Sequence, residues 1–243
     1  MGIAYNVPSI VKGDLALHLD AKNPKSYPGT GTTWTDISGK DNHATLSGTD
    51  YMTWNSSGHF ESRPIDSFAT GNHFTIPASS KLSVSTGWTV AGYMKVIGTQ
   101  SSNGVGWFHK NGTASERGIH LEPLTNNFRI NGDSGWSSPT FNISTNYHGV
   151  WTQWCVTFEQ ISGTYGTDTG TLKVYINGSL TTTKTDFIPS PDKTDSDIWL
   201  CRRNGHLRHY LNGDVANYLF YTRTLSASEV LQNYNAIKAR YES

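Results

Sequence analysis

Apolar and polar residues alternate along Leu15-Ala16-Leu17-His18-Leu19-Asp20, the spacing of a half-buried strand. Similar runs predict strands at Trp88–Val96, Trp107–Lys110, Gly118–Leu121, Phe128–Ile130, Thr140–Ile143, Trp151–Gln160, Thr171–Ile176, Asp197–Arg202 and Asp214–Arg223. Between and around them stand six Asn-Gly pairs, beginning at Asn103, Asn111, Asn131, Asn177, Asn204 and Asn212. Asn-Gly is a strong hairpin signal, because both residues tolerate the positive φ of a type I′ turn. Pro24 to Gly31 is rich in Pro, Gly and Ser and reads as loop. Thr33 to Ala44 is turn-dense and leads into another short strand. Residues 1–13 are short, irregular and contain a proline.

The period changes at the C-terminus. Ser226-Ala227-Ser228-Glu229 has the spacing of a capping box, in which the serine oxygen takes an early helix N–H and the glutamate reaches back to the cap N–H. Val230, Leu231, Tyr234, Ile237 and Tyr241 then form one apolar stripe. The pattern predicts a helix over 226–241. Many short strands with closely spaced turns, and one terminal helix, predict an all-β sandwich or jelly roll.

Composition supports this reading. Hydrophobic residues make up 35% and charged residues 16%, while Thr (29), Ser (26) and Gly (24) fill the difference. Aromatics reach 12%, with 8 Trp, which argues against a disordered chain. Lys+Arg and Asp+Glu are both 19, so the chain lacks the positive excess of a general nucleic-acid binder or a polybasic membrane-surface protein. No apolar run approaches the roughly 18 residues of a membrane span, and Met1 to Asp14 shows no secretory leader pattern. Cys155 and Cys201 sit in apolar strand-like runs and read as buried free thiols.

Several segments resemble laminin-G-like, concanavalin-A-like lectin domains. The opening consists of Leu15–Ala21 and Ser26–Gly39. Trp88-Thr-Val-Ala-Gly-Tyr-Met94, Trp151-Thr-Gln-Trp-Cys-Val-Thr-Phe158 and Leu172-Lys-Val-Tyr-Ile-Asn-Gly178 follow in the family's order, and Asn212 to Glu229 resembles its close. The resemblance implies two antiparallel sheets of six or seven strands, with Trp88, Trp151, Trp154 and Trp199 in the core between them. No composition break, long linker or clear repeat divides the chain, so one jelly-roll domain is expected over 14–243; residues 1–13, too short for a domain, are expected to be an arm that docks it onto a particle or a neighbouring subunit. The opening and the stretch NYLFYTRTLSASEVLQNYNA are similar to the version common in virion proteins of tailed phages; bacterial surface proteins carry similar domains.

Glycanases of this fold set two carboxylates on one strand about 5 Å apart for retaining hydrolysis. The six glutamates (61, 116, 122, 159, 229 and 242) supply no such pair along a strand. The resemblance implies one structural Ca²⁺, with Asp214 matching the family's aspartate and Asp20 and Asp36 as weaker partners. Ca²⁺ takes six to eight oxygens, so carbonyls and water would complete the shell. For glycan stacking, the aromatics in loop-like sequence are Trp136, Trp107, Trp54 and Tyr147, with Trp136 favoured by its polar setting. Arg202, Arg203, His206, Arg208 and His209 flank one predicted turn and offer a grip for an acidic glycan, phosphate or capsid surface.

The expectation is a non-catalytic virion structural protein, a capsid decoration, fibre or tail-fibre component, at the virion surface. Its partners would be capsid or tail proteins, host-surface or environmental glycans, and further copies of itself, but not nucleic acid or membrane. A carbohydrate-binding module of a bacterial surface or secreted protein, and an atypical glycoside hydrolase, remain as alternatives.

Overall fold

Strands form where β-branched and aromatic residues occupy alternate positions. The computed structural model describes residues 8–48, 51–63, 72–97, 106–110, 119–123, 127–131, 140–142, 147–192, 194–202 and 210–241. Along them run β1 (Leu15–Asp20), β2 (Thr33–Trp34), β3 (Ala44–Ser47), β4 (Met52–Asn55), β5 (His59–Ser62), β6 (His73–Ile76), β7 (Gly87–Val96) and β8 (Phe108–Lys110). Next come β9 (Ile119–Pro123), β10 (Asn127–Asn131), β11 (Thr140–Asn142), β12 (Thr152–Gln160), β13 (Gly170–Ile176), β14 (Ser179–Phe187), β15 (Ile198–Leu200) and β16 (Gly213–Tyr221). Helix α1 (Ala227–Ile237) closes the chain and continues as a 3-10 turn, Lys238–Arg240.

The strands make two eight-stranded sheets, and every strand pair is antiparallel. The first sheet runs β14-β13-β12-β7-β16-β5-β4. β16 pairs with β5 through Gly213–Val215 and with β1 through Asn217–Tyr221. The second sheet runs β11-β10-β9-β8-β15-β6-β3-β2.

Their inner faces meet in the main core. The first sheet gives Trp88, Val90, Met94, Trp154, Val156, Phe158, Leu172, Val174, Tyr218 and Phe220. The second gives Phe74, Ile76, Phe108, Leu121, Phe128, Ile130, Ile198 and Leu200, all fully buried. A fully buried aromatic of this kind contributes roughly 2–3 kcal/mol by area.

The intervening residues of the first sheet form a second core on its outer face. Ala91, Tyr93, Cys155, Tyr175 and Leu219 pack there against Val230, Ile237 and Tyr241. α1 starts as its sequence predicts. Ser226 accepts from the Glu229 N–H and Glu229 accepts from the Ser226 N–H, while Arg223 pairs with the same carboxylate at 2.6 Å. The chain before β1 is fastened to this helix. Val11 N donates to Asn233 Oδ1 at 2.9 Å, Tyr221 Oη donates to the Val11 carbonyl, and Gln232 Nε2 donates to the Ser9 carbonyl.

The structure corrects three expectations. β1 is buried along its whole length, because His18 and Asp20 also lie under cover on its polar side. Trp151 and Trp199 face outward and are only half-buried, whereas Trp34 and Trp107 take core positions. β14 was absent from the predicted strands, as were β4, β5 and β6. The Asn177-Gly178 turn, with φ of 50° and 75°, returns the chain from β13 into it. Cys155 and Cys201 are free and buried, as expected. Burial raises both thiol pKa values, that of Cys201 to about 12. No helix among the described residues is long and apolar enough to cross a membrane.

Candidate binding site

In β15, Ile198 and Leu200 enter the core, so strand alternation turns Trp199 to the outer face. In β6, Phe74 and Ile76 do the same and turn His73 and Thr75 outward. Register sets Trp199 opposite Thr75 and Ser47 opposite His73. The imidazole of His73 lies on the indole of Trp199, centroids 4.1 Å apart and planes 24° from parallel. Ser47 Oγ holds His73 Nδ1 at 2.7 Å.

Arg202 completes the group. After β15, Cys201 adopts φ 66°, a conformation that costs a non-glycine residue on the order of 1 kcal/mol. It keeps its own side chain in the core, bonded through Sγ to Tyr218 Oη. The chain then bridges Arg202 to Tyr210. The Arg202 guanidinium sits 5.0 Å from the Trp199 ring centre and 5.0 Å from that of Tyr210. Such cation–π contacts fix the guanidinium plane without neutralising it. Burial lowers the Arg202 pKa, and no carboxylate pairs with it among the described residues. A partly exposed tryptophan, an ordered imidazole and a guanidinium that no described carboxylate neutralises therefore share one patch.

A second polar cluster lies on the outer face of the first sheet. Asp214, 1% exposed, faces Glu61 across the β16–β5 ladder and Lys95 across β16–β7. Its carboxylate takes Arg63 Nη2 at 2.5 Å and Lys95 Nζ at 2.7 Å. His59 Nε2 lies 3.4 Å from Glu61 and 3.9 Å from Asp214, and burial lowers its pKa. Asp20, three residues from Asp214 in the β16 register, is held instead by Arg240 and by Tyr241 Oη. Both carboxylates are paired with cationic side chains, so each would have to give up a cation to take part in a calcium site. Glu61 and Asp214 do form a carboxylate pair across two strands. Asp214 in that pair is buried and held by Arg63 and Lys95.

A family model for the concanavalin A-like lectin/glucanases superfamily matches residues 68–231, more than half of the chain. The chain belongs to that superfamily. No curated protein matches its sequence. Among solved structures, the botulinum neurotoxin serotype D binding domain superposes with a TM-score of 0.64 at 15% identity, over 93% of this chain and 53% of that one. The botulinum neurotoxin type G receptor binding domain gives 0.61 at 16% identity, over 91% and 51%. The binding domain of botulinum neurotoxin DC, in complex with rat synaptotagmin II, gives 0.62 at 13% identity, over 92% and 51%. This lectin-type domain spans about half the length of those chains, and at such identity the likeness is one of fold.

Of the residues predicted for its site, Arg202 alone joins the Trp199 patch in the described residues. Trp136, His206, Arg208 and His209 lie outside them. Trp107 is fully buried, and its ring rests over Gly92, where an added Cβ would come within 2.9 Å of it. It is a core residue, not a sugar platform. Trp54 is half-buried, tilted against Tyr27, with its Nε1 donating to the Ala21 carbonyl at 3.3 Å. Tyr147 packs edge-on against Trp154 at 5.7 Å and is also half-buried. Sequence reasoning missed His73, Trp199 and Tyr210. The available signal was alternation: in Ile198-Trp199-Leu200 the tryptophan has to face opposite its neighbours.

Proposed function

We propose that this lectin-type domain is a non-catalytic binding module that recognises a glycan on the outer face of its second sheet. The observation that carries the reading is the Trp199 stack. A large apolar ring left partly exposed on a sheet face, yet immobilised by His73 and Arg202, is a platform whose ordering is complete before a ligand arrives. Sugars bury their C–H faces on such rings while Ser, His and Arg groups take the hydroxyls. The enclosed state of Asp214 supports a non-catalytic role.

The setting we propose is a virion surface, with capsid or tail proteins as structural partners. The opening at Leu15–Ala21 and the close at Asn217–Ala236 support it by their likeness to tailed-phage virion domains. A glycan array probed with the purified chain tests the binding reading. Binding removed by Trp199→Ala, with the melting temperature held within a few degrees, is the expected result. A chain that binds no glycan, or binds equally well as Trp199→Ala, would overturn it. Peptides of the chain in purified particles are the expected result for the setting. Glycan binding by a chain absent from particles would instead make it a module of a bacterial surface or secreted protein.

A further inference from the structure

The cations of this protein differ in how they are compensated. Arg63 and Lys95 hold Asp214, buried Lys110 holds Asp192, Arg223 holds Glu229 and Arg240 holds Asp20. Arg202 is as enclosed as several of these, and it meets rings where they meet carboxylates. Its contact with His73 Nδ1, at 3.5 Å, brings no negative charge. Its Nε is buried and has no hydrogen-bond partner among the described residues.

A guanidinium taken partly out of water without a counter-charge is a standing cost, and removing that cost is a gain available to an anion. Burial has already moved the Arg202 pKa downward, the direction expected of a cation that lacks compensation. The rings of Trp199 and Tyr210 lie against the guanidinium without pairing its N–H groups, so its edge is the part that would take a ligand oxygen. A planar carboxylate matches that edge with two parallel N–H···O bonds. Such charge-assisted bonds are roughly twice as strong as bonds to a neutral hydroxyl. The formal charge of the whole chain is zero, so selection for an anion would arise at this patch and not from the overall field.

We infer that the ligand is an acidic sugar, with its carboxylate on Arg202 and its ring against the exposed part of Trp199. This rests on the reading of the sheet face as a glycan site. Carboxylate sugars reach such a site from two sources, sialic acids on cell-surface glycans and uronic acids in polysaccharides.

Calorimetric titration with matched ligands separates the ideas. The pairs are sialyllactose against lactose, and oligogalacturonate against its methyl ester. The array's neutral oligosaccharides serve as the reference. Tenfold or greater preference for the acid in either pair is expected, and the pair showing it identifies the source. Arg202→Gln should abolish the preference and leave weak binding that still depends on Trp199. Arg202→Lys should keep the charge, lose the bidentate fork and restore only part of the preference. Two results would overturn the inference while the glycan reading stands: Trp199-dependent binding that treats acid and ester alike, or an acid preference that survives Arg202→Gln. Failure of every sugar to bind overturns both. Circular dichroism of both Arg202 variants separates loss of binding from loss of fold.

Discussion

Acidification should destabilise the fold through one buried histidine. His18 stands in β1, 6% exposed, and neither ring nitrogen has a hydrogen-bond partner. Its backbone N–H donates to Asp36 at 2.8 Å, which holds the strand in place but does nothing for the ring. Burial is the main cause that lowers its pKa, to about 4; Lys12 and Arg240 add to the shift, while Asp20 and Asp36 oppose it. The unfolded chain takes up this proton near 6.5, and the folded chain not until about 4. Above pH 6.5 neither state is protonated and the group has no effect. As pH falls from 6.5 to 4 the unfolded state alone gains the proton, so stability drops through that window and then levels off. The gap between 6.5 and about 4 is worth about 3 kcal/mol. Against a typical domain stability of about 5–15 kcal/mol that is a large loss. Urea unfolding at pH 7, 6, 5 and 4, run on the wild type and on His18→Leu, measures it. Every other residue is the same in both proteins, so the difference between them isolates His18. The wild type should lose about 3 kcal/mol more than the variant between pH 7 and pH 4. Equal losses would refute the account.

Lys110→Met should destabilise the domain by about 3–5 kcal/mol, because it leaves the Asp192 carboxylate enclosed without its cation. Adding Asp192→Leu should recover part of that loss in denaturant melts, and a double variant no better than the single would contradict it. EDTA should leave thermal melting unchanged, since Asp214 and Asp20 are paired with cations already present in the chain. A chelator-dependent fall in melting temperature would show that a metal site exists after all.

The long strands were legible because each carries its own alternation. β7, β12, β13 and β16 present apolar side chains to two cores, and their patterns survive without knowledge of their neighbours. β14 was not legible. Ser179–Phe187 is mostly Ser and Thr, its side chains are largely exposed, and its conformation comes from pairing with β13 at the sheet's edge. Trp107 misled for a related reason. Its local sequence is rich in Gly and Asn, like a loop, and only contact with Gly92, Phe128 and Tyr218 makes it core. The charged cluster around Asp214 was invisible for want of register. A search for paired carboxylates along one strand cannot find Glu61 and Asp214, which are 153 positions apart in the chain and adjacent only across the β16–β5 ladder.

The two sheets are used differently, and this bears on where a ligand can act. The first sheet is packed on both faces, against the second sheet on one side and against α1 and the segment before β1 on the other. On that outer face, Asp214 and Asp20 are taken up by internal ion pairs with Arg63, Lys95 and Arg240. The second sheet packs its inner face, while Thr45, Ser47, Thr75, Trp199 and Arg202 retain exposure on the other. Residues of that outer patch can change without opening a cavity between the sheets. Truncating Trp154 or Phe128 in the core would cost about 3–5 kcal/mol, whereas Trp199→Ala removes a partly exposed ring that lies outside the core between the sheets. The fold thus separates the residues that hold it together from those offered to a ligand. A loss of binding in the Trp199 or Arg202 variants can accordingly be read as a loss of contact.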